Sequence, residues 1–205
     1  MTIHYKVEFF TYWHCGSGLS AGADVDLLTI KDSDGFPFVP GKTVKGLIRE
    51  AAESLVELNH DAYPSKREVE SIFGKRTEPD DGTPKDVKEH INGTAFFSNA
   101  EFPIEDKKAL ALQFESGESF THHLFTSISA TAIGEDGIAK EHSLRRTEVV
   151  LPCTLTGVIL HLPGDDRSYK LIEDSLSFIK RLGENRNRGL GRCCFSIIKK
   201  EEDNE

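Results

Sequence analysis

The sequence contains no apolar run near the roughly 18 residues that a membrane-spanning helix needs, so no transmembrane span is expected. It contains no Cys-x-x-Cys. The four cysteines are Cys15, Cys153 and the adjacent pair Cys193–Cys194. Neighbours in sequence bridge only with strain, so neither a zinc knuckle nor a disulfide framework is expected. There is no charged leader followed by an apolar stretch and a small-residue cleavage site. MTIHYKVEFF goes straight into strand-like alternation, which points to a cytoplasmic protein. No tandem repeat recurs at a spacing of 20–50 residues. Nor is there an excess of positive charge: 25 Lys and Arg against 34 Asp and Glu leave a net charge of −9. Any nucleic-acid function must therefore rest on local cationic clusters.

What is present reads as globular. With 38% hydrophobic and 29% charged residues, the 205-residue chain lies far from disordered compositions and suits one compact domain, 1–205. Residues 2–12 alternate, with Ile3, Tyr5, Val7 and Phe9 on one face, which predicts a half-buried strand. The small-residue loop CGSGLSAG leads to a second strand candidate, VDLLTI at 25–30, ended by the turn DSDG. In TVKGLIREAAESLVELN the apolar positions Val44, Leu47, Ile48, Ala51, Leu55 and Leu58 step by three and four, predicting a helix with Thr43 as its N-cap. Residues 60–92 read as an irregular insertion. Strand signals resume in GTAFFSNAEF and in KALALQFE. A hairpin spans about 115–147, turned by GEDG at 134–137, and RTEVVLPCTLTGVILHL is strand-like on both sides of Pro152. Leu171 to Leu182 outline a second helix, with Gly183 as C-cap. CCFSII is the last strand, and residues 199–205 form a solvated tail. Strands mixed with two helices predict an α+β fold, its helices on one face of an antiparallel sheet.

Several motifs carry candidate chemistry. Gly41-Lys42-Thr43 falls short of a P-loop, because position 36 is Phe where that motif needs glycine, and Pro40 removes a backbone N–H. Lys42, Lys45 and Arg49 instead place cations at a helix start. That opposes the helix dipole, and it suits a phosphate bound at the free N–H groups. GENRNRGLGR combines glycines that allow close backbone approach with Arg186, Arg188 and Arg192, whose guanidinium groups suit phosphate oxygens. Arg145–Arg146 form a smaller pair after the hairpin. Asp24 and Asp26 share a face if extended; such a pair can hold a divalent ion with waters, or guide charge during catalysis. His14, His122 and His123 are candidates for acid–base work.

Five blocks in order carry a resemblance. GSGLSAG through DLLTIKDSDGFPFVPGKTVKGLIRE, IFGK, GTAFFSNAEF, SLRRTEVVLPCTLTGVI and GENRNRGLGR resemble the repeat-associated mysterious protein (RAMP) superfamily. The likeness is greatest to the backbone subunits of type III CRISPR effector complexes, which act in antiviral defence. It implies a ferredoxin-like, RNA-recognition-motif-like sheet with an inserted thumb-like hairpin. It also implies guide RNA lying across the helix start (Lys42, Thr43, Lys45) and the C-terminal loop that holds Gly189, Gly191 and the arginines. Target RNA, copies of the same chain and other effector subunits are the implied partners. Family spacing carries the catalytic aspartate over to Asp26, six residues before Asp32, with Asp24 as the neighbouring candidate and Mg²⁺ as the possible cofactor of target cleavage. Two departures stand out. Lys42–Thr43 replace a serine pair, and Leu27–Leu28 follow the aspartate where a polar residue and proline are usual. The second departure motivates the alternative of a non-catalytic backbone subunit. A further alternative is a stand-alone RAMP endoribonuclease that processes guide precursors with histidine chemistry, motivated by the shared C-terminal loop and by His14.

Overall fold

The computed structural model describes residues 1–21, 25–75, 92–112 and 120–202. Its centre is a four-stranded antiparallel sheet in the order β2-β5-β1-β6, formed by β1 (Thr2–Phe9), β2 (Phe96–Phe97), β5 (Thr154–Leu160) and β6 (Cys193–Glu201). Helices α1 (Gly41–Leu58) and α4 (Asp166–Phe178) connect these strands in β-α-β-β-α-β order, which is the ferredoxin-like arrangement. The predicted α+β class is therefore observed. Period-two alternation decides which face is buried. Ile3, Tyr5, Val7 and Phe9 are at most 2% exposed and join one core with Val44, Ile48, Ala52, Leu171, Ile172 and Leu176 from the helices. Each buried Val, Leu, Ile or Phe side chain among these contributes about 1.5–3 kcal/mol, so the two-helix layer is held mainly by this face.

A second, two-stranded sheet pairs β3 (Phe125–Ala130) with β4 (Arg145–Val150) between β2 and β5. Its far end turns at Gly134–Gly137, where the Gly134 N–H donates to Ile138 O at 2.7 Å and the Gly137 N–H to Gly134 O at 3.1 Å. The apolar run around Pro152 is thus two strands in two different sheets.

Several expectations are corrected. KALALQFE begins within helix α3 (Ile104–Leu112), not a strand. Its Ala and Leu are strong helix formers, Glu105 and Asp106 suit the first turn, and Lys107 is tied to Asp32 and Glu101 at 2.7 and 3.2 Å. The supposedly irregular 60–92 segment holds helix α2 (Lys66–Phe73), started by a Ser65–Glu68 capping box and buried through Val69, Ile72 and Phe73; residues 76–91 lie outside the described residues. VDLLTI forms isolated bridges rather than a strand. Thr43 does not cap α1: the helix starts two residues earlier, and the Gly41 N–H donates to Asn99 Oδ1 at 2.9 Å. A Cβ at Gly41 would lie 2.1 Å from Phe97 O, so the close approach of α1 to β2 requires glycine there. Helix α4 ends at Phe178, short of Gly183. The expected tail also begins as strand, since Lys199 and Lys200 pair with His4 and Ile3.

Candidate nucleic-acid interface

Strand register brings three long connections to one end of the sheet. Strand β1 ends at Phe9, opposite Cys193 at the start of β6, and Glu8 lies opposite Thr154 at the start of β5. The loop after β1, the β3–β4 hairpin and the arginine loop therefore emerge side by side.

The hairpin base meets the loop after β1 along the free edge of β4. Trp13 and Val150 exchange backbone hydrogen bonds at 3.1 and 2.8 Å, and the Glu148 N–H donates to Leu27 O at 2.9 Å. Asp26 is exposed and anchored twice: its N–H donates to Arg146 O at 2.9 Å, and its Oδ2 accepts from the Arg146 N–H at 2.6 Å. Residues 120 positions apart are thus brought together, and the exposed Arg145–Arg146 pair sits beside the Asp26 carboxylate. Asp24 lies outside the described residues. Asp32, the spacing partner of Asp26, does structural work. Its Oδ1 accepts from the Asp34 and Phe36 N–H groups at 3.0 and 2.9 Å, and Oδ2 accepts from Lys107 at 2.7 Å.

His14 lies inside this junction and is fully buried. Its Nδ1 is 2.6 Å from Glu148 O, an atom that can only accept, so Nδ1 carries the hydrogen. Its Nε2 is buried without a hydrogen-bond partner among the described residues. A ring so enclosed packs the hairpin base and cannot reach a solvent-borne substrate, which corrects the reading of His14 as a candidate acid–base group. His122 and His123 are exposed ahead of β3, with ring centroids 3.9 Å apart and planes tilted by 39°.

The arginine loop is framed by its glycines. Gly183 has φ +97° and a Cβ there would lie 2.4 Å from His14 O; Gly191 has φ +68° and a Cβ would lie 1.9 Å from Leu182 O. Both are accounted for by close backbone packing, and Gly191 is buried. Gly189, at φ +93°, faces open space. Arg186, Arg188 and Arg192 are exposed and have no carboxylate partner among the described residues. Arg186 and Asn187 share a cleft of about 370 Å³ with Leu47, Glu50 and Ser54 of α1 and with Phe178 at the end of α4. The arginine loop therefore adjoins the middle of α1, between Leu47 and Ser54.

The helix-start cations are less concentrated than their spacing suggests. Lys42 is exposed and Thr43 half-buried, while the Lys45 Nζ lies 5.9 Å from the Phe97 ring of β2, toward the sheet edge opposite β6. Arg49 is only 13% exposed and pairs with Glu53 at 2.8 Å. Two exposed aromatics, Phe10 and Tyr12, fall within the alternation that predicts a strand over residues 2–12, a pattern that gives them no role of their own. They stand next to the arginine loop, with the Arg192 guanidinium 5.9 Å from the Phe10 ring centroid.

The profile of the RAMP superfamily matches residues 6–194. The chain belongs to this superfamily. Its RAMP fold is similar to a chain in the cryo-EM structure of the type III-B Cmr-beta bound to cognate target RNA, with a TM-score of 0.66 and 13% identity over 96% of this chain and 97% of that one. It is similar as well to a chain of Cmr-beta in the apo state, with a TM-score of 0.65 and 13% identity over 97% and 98% of the two chains. Among curated proteins no sequence match was found. No helix among the described residues is long and apolar enough to cross a membrane.

For a divalent ion, the described part of this RAMP chain offers no group of three or more His, Cys, Asp or Glu side chains. What it offers is the Asp26 carboxylate, whose Oδ2 already accepts a backbone hydrogen bond. That fits the manner in which Mg²⁺ is commonly held, by one or two carboxylates together with waters and substrate phosphates, rather than by an all-protein cage.

Proposed function

We propose that this RAMP protein is a guide-RNA-binding backbone subunit of a type III RNA-guided effector complex in antiviral defence, and that Asp26 serves cleavage of the bound target RNA. The observation that carries the reading is the junction at the hairpin base. There an exposed carboxylate is fixed to the backbone of an exposed arginine pair, at the sheet end from which the arginine loop also leaves. Guide RNA, target RNA, further copies of the chain and other effector subunits are the partners this role requires.

RNA cleavage by its own 2′-OH needs that oxygen in line with the scissile phosphate, and it gains from groups that stabilise the developing charge. Carboxylates are weak bases at neutrality, so the contribution expected of Asp26 is to orient the 2′-OH. Arg145 and Arg146 project to opposite faces of β4, so one of the two can turn positive charge toward it. Mg²⁺ held between Asp26 and RNA phosphates would add charge stabilisation.

A second reading also has an observation in its favour. Because Asp26 Oδ2 ties down the hairpin base, the residue has a structural use that needs no catalysis, as in a non-catalytic backbone subunit. The reconstituted complex, given matched target RNA and Mg²⁺, separates the two. Regularly spaced products that disappear in Asp26→Ala, with assembly intact, are the expected result. Uncut target with the wild-type chain, or wild-type cutting by Asp26→Ala, overturns the cleavage assignment. The stand-alone endoribonuclease reading draws on the C-terminal loop and on His14, and the burial of His14 withdraws that histidine as its reagent.

A further inference from the structure

The chain leaving β1 sorts its aromatics into two pairs. Phe9 and Trp13 are at most 2% exposed and stack in the core, with centroids 4.5 Å apart and planes 13° apart. Between them, Phe10 and Tyr12 are 48% and 40% exposed. Apolar rings on an acidic surface are costly to leave in water, and this segment is not loose. The Phe10 N–H donates to Arg192 O at 2.9 Å, the Gly191 N–H to Tyr12 O at 2.7 Å, and the Arg192 N–H to Thr11 Oγ1 at 3.0 Å. The buried stack below and these three bonds beside it hold the backbone that carries the exposed rings against the arginine loop. The Arg192 guanidinium lies 5.9 Å from the Phe10 centroid and has no carboxylate partner among the described residues.

We propose that Phe10 and Tyr12, with Arg192, form a stacking platform for an unpaired nucleobase of single-stranded RNA. The inference rests on the RNA-binding reading above and adds to it a contact that is not electrostatic. A flat π-face takes any base, and an adjacent guanidinium both stacks and neutralises the neighbouring phosphate, so the platform binds single strands without reading sequence. A protein partner would use the same rings as apolar area, indifferent to whether the side chain is aromatic. That difference decides the test.

The probe is a guide-length single-stranded RNA carrying 2-aminopurine, titrated with the purified full-length chain over a range of salt. Phe10→Ala is expected to lose about 5- to 150-fold in affinity, as for one stacked base. The slope of log affinity against log salt should stay unchanged, because no phosphate contact is removed. Phe10→Trp should retain binding, Phe10→Leu should behave like alanine, and quenching of 2-aminopurine should fall in the variants that lose affinity. Wild-type affinity in both Phe10→Ala and Tyr12→Ala overturns the platform while leaving RNA binding standing. Full binding by Phe10→Leu overturns it too, because the ring would then be serving as apolar area. No RNA binding by the wild-type chain at low salt overturns both readings together.

Discussion

Gly189 and Gly191 lie two residues apart in the arginine loop, both at positive φ, yet alanine should separate them sharply. At Gly189, φ +93°, nothing lies within 4 Å of an added Cβ. Only the left-handed backbone is penalised, at about 1–2 kcal/mol. At Gly191, φ +68°, the added Cβ would sit 1.9 Å from Leu182 O, a backbone atom that cannot swing away. The loop must open. That endangers the hydrogen bonds from Leu182 N–H to Gly191 O at 2.9 Å and from Gly191 N–H to Tyr12 O at 2.7 Å, each worth about 1 kcal/mol. Adding the backbone penalty gives a loss of about 3–4 kcal/mol for Gly191→Ala. For a chain of this size, thermal denaturation should then show a fall of roughly 10 °C, against roughly 3–5 °C for Gly189→Ala. Equal midpoints for the two variants would refute the reasoning, because the carbonyl contact would then not exist in solution.

Two further outcomes can be measured. The Asp32 carboxyl would be raised by burial alone, but the hydrogen bond from Lys107, the Phe36 and Asp34 N–H groups and the Lys107 charge together hold it below the usual carboxylate value. Its stabilisation is therefore present above about pH 4 and is lost as pH falls through the lower folded value. In urea titrations the stability gap between wild type and Asp32→Asn should narrow as pH falls below about 4; a gap that does not change with pH contradicts the ion pair. Burial pushes the thiols of Cys15, Cys153 and Cys193 up to about 12, and the Glu184 charge adds to it at Cys15. At pH 8 an aromatic disulfide reagent should thus titrate one thiol of the native protein, the exposed Cys194, and Cys194→Ser should abolish that signal.

The sheet and its two main helices were legible because their signals are local. Alternation from Ile3 to Phe9 and the three-and-four spacing from Val44 to Leu58 each state a buried face without reference to anything distant. KALAL misled because alternating Ala and Leu reads as a strand pattern, while its state is settled by the reach of Lys107 to Asp32, 75 positions away. Residues 66–73 were hidden by the Pro- and acid-rich stretch after them, although the Ser65–Glu68 capping box was present to be read. At the candidate site, the bond between Asp26 and Arg146 spans 120 positions, and no spacing rule reaches that far. The enclosure of His14 is equally invisible, since it depends on the Glu148 carbonyl and on packing across the hairpin base. Helical spacing placed Lys42, Lys45 and Arg49 on one segment, but it could not say that Arg49 is spent on Glu53 or that Lys45 leans toward β2.

The central claim, that the arginine loop grips the phosphates of an RNA strand, is tested most directly by the salt dependence of guide-RNA binding. With the wild-type chain and an Arg186→Glu, Arg188→Glu double variant, the account predicts a slope of log affinity against log salt that is shallower in the variant by roughly 0.7 for each lost single-strand phosphate contact. Identical slopes for the two proteins would show that these guanidinium groups touch only water, and would contradict it.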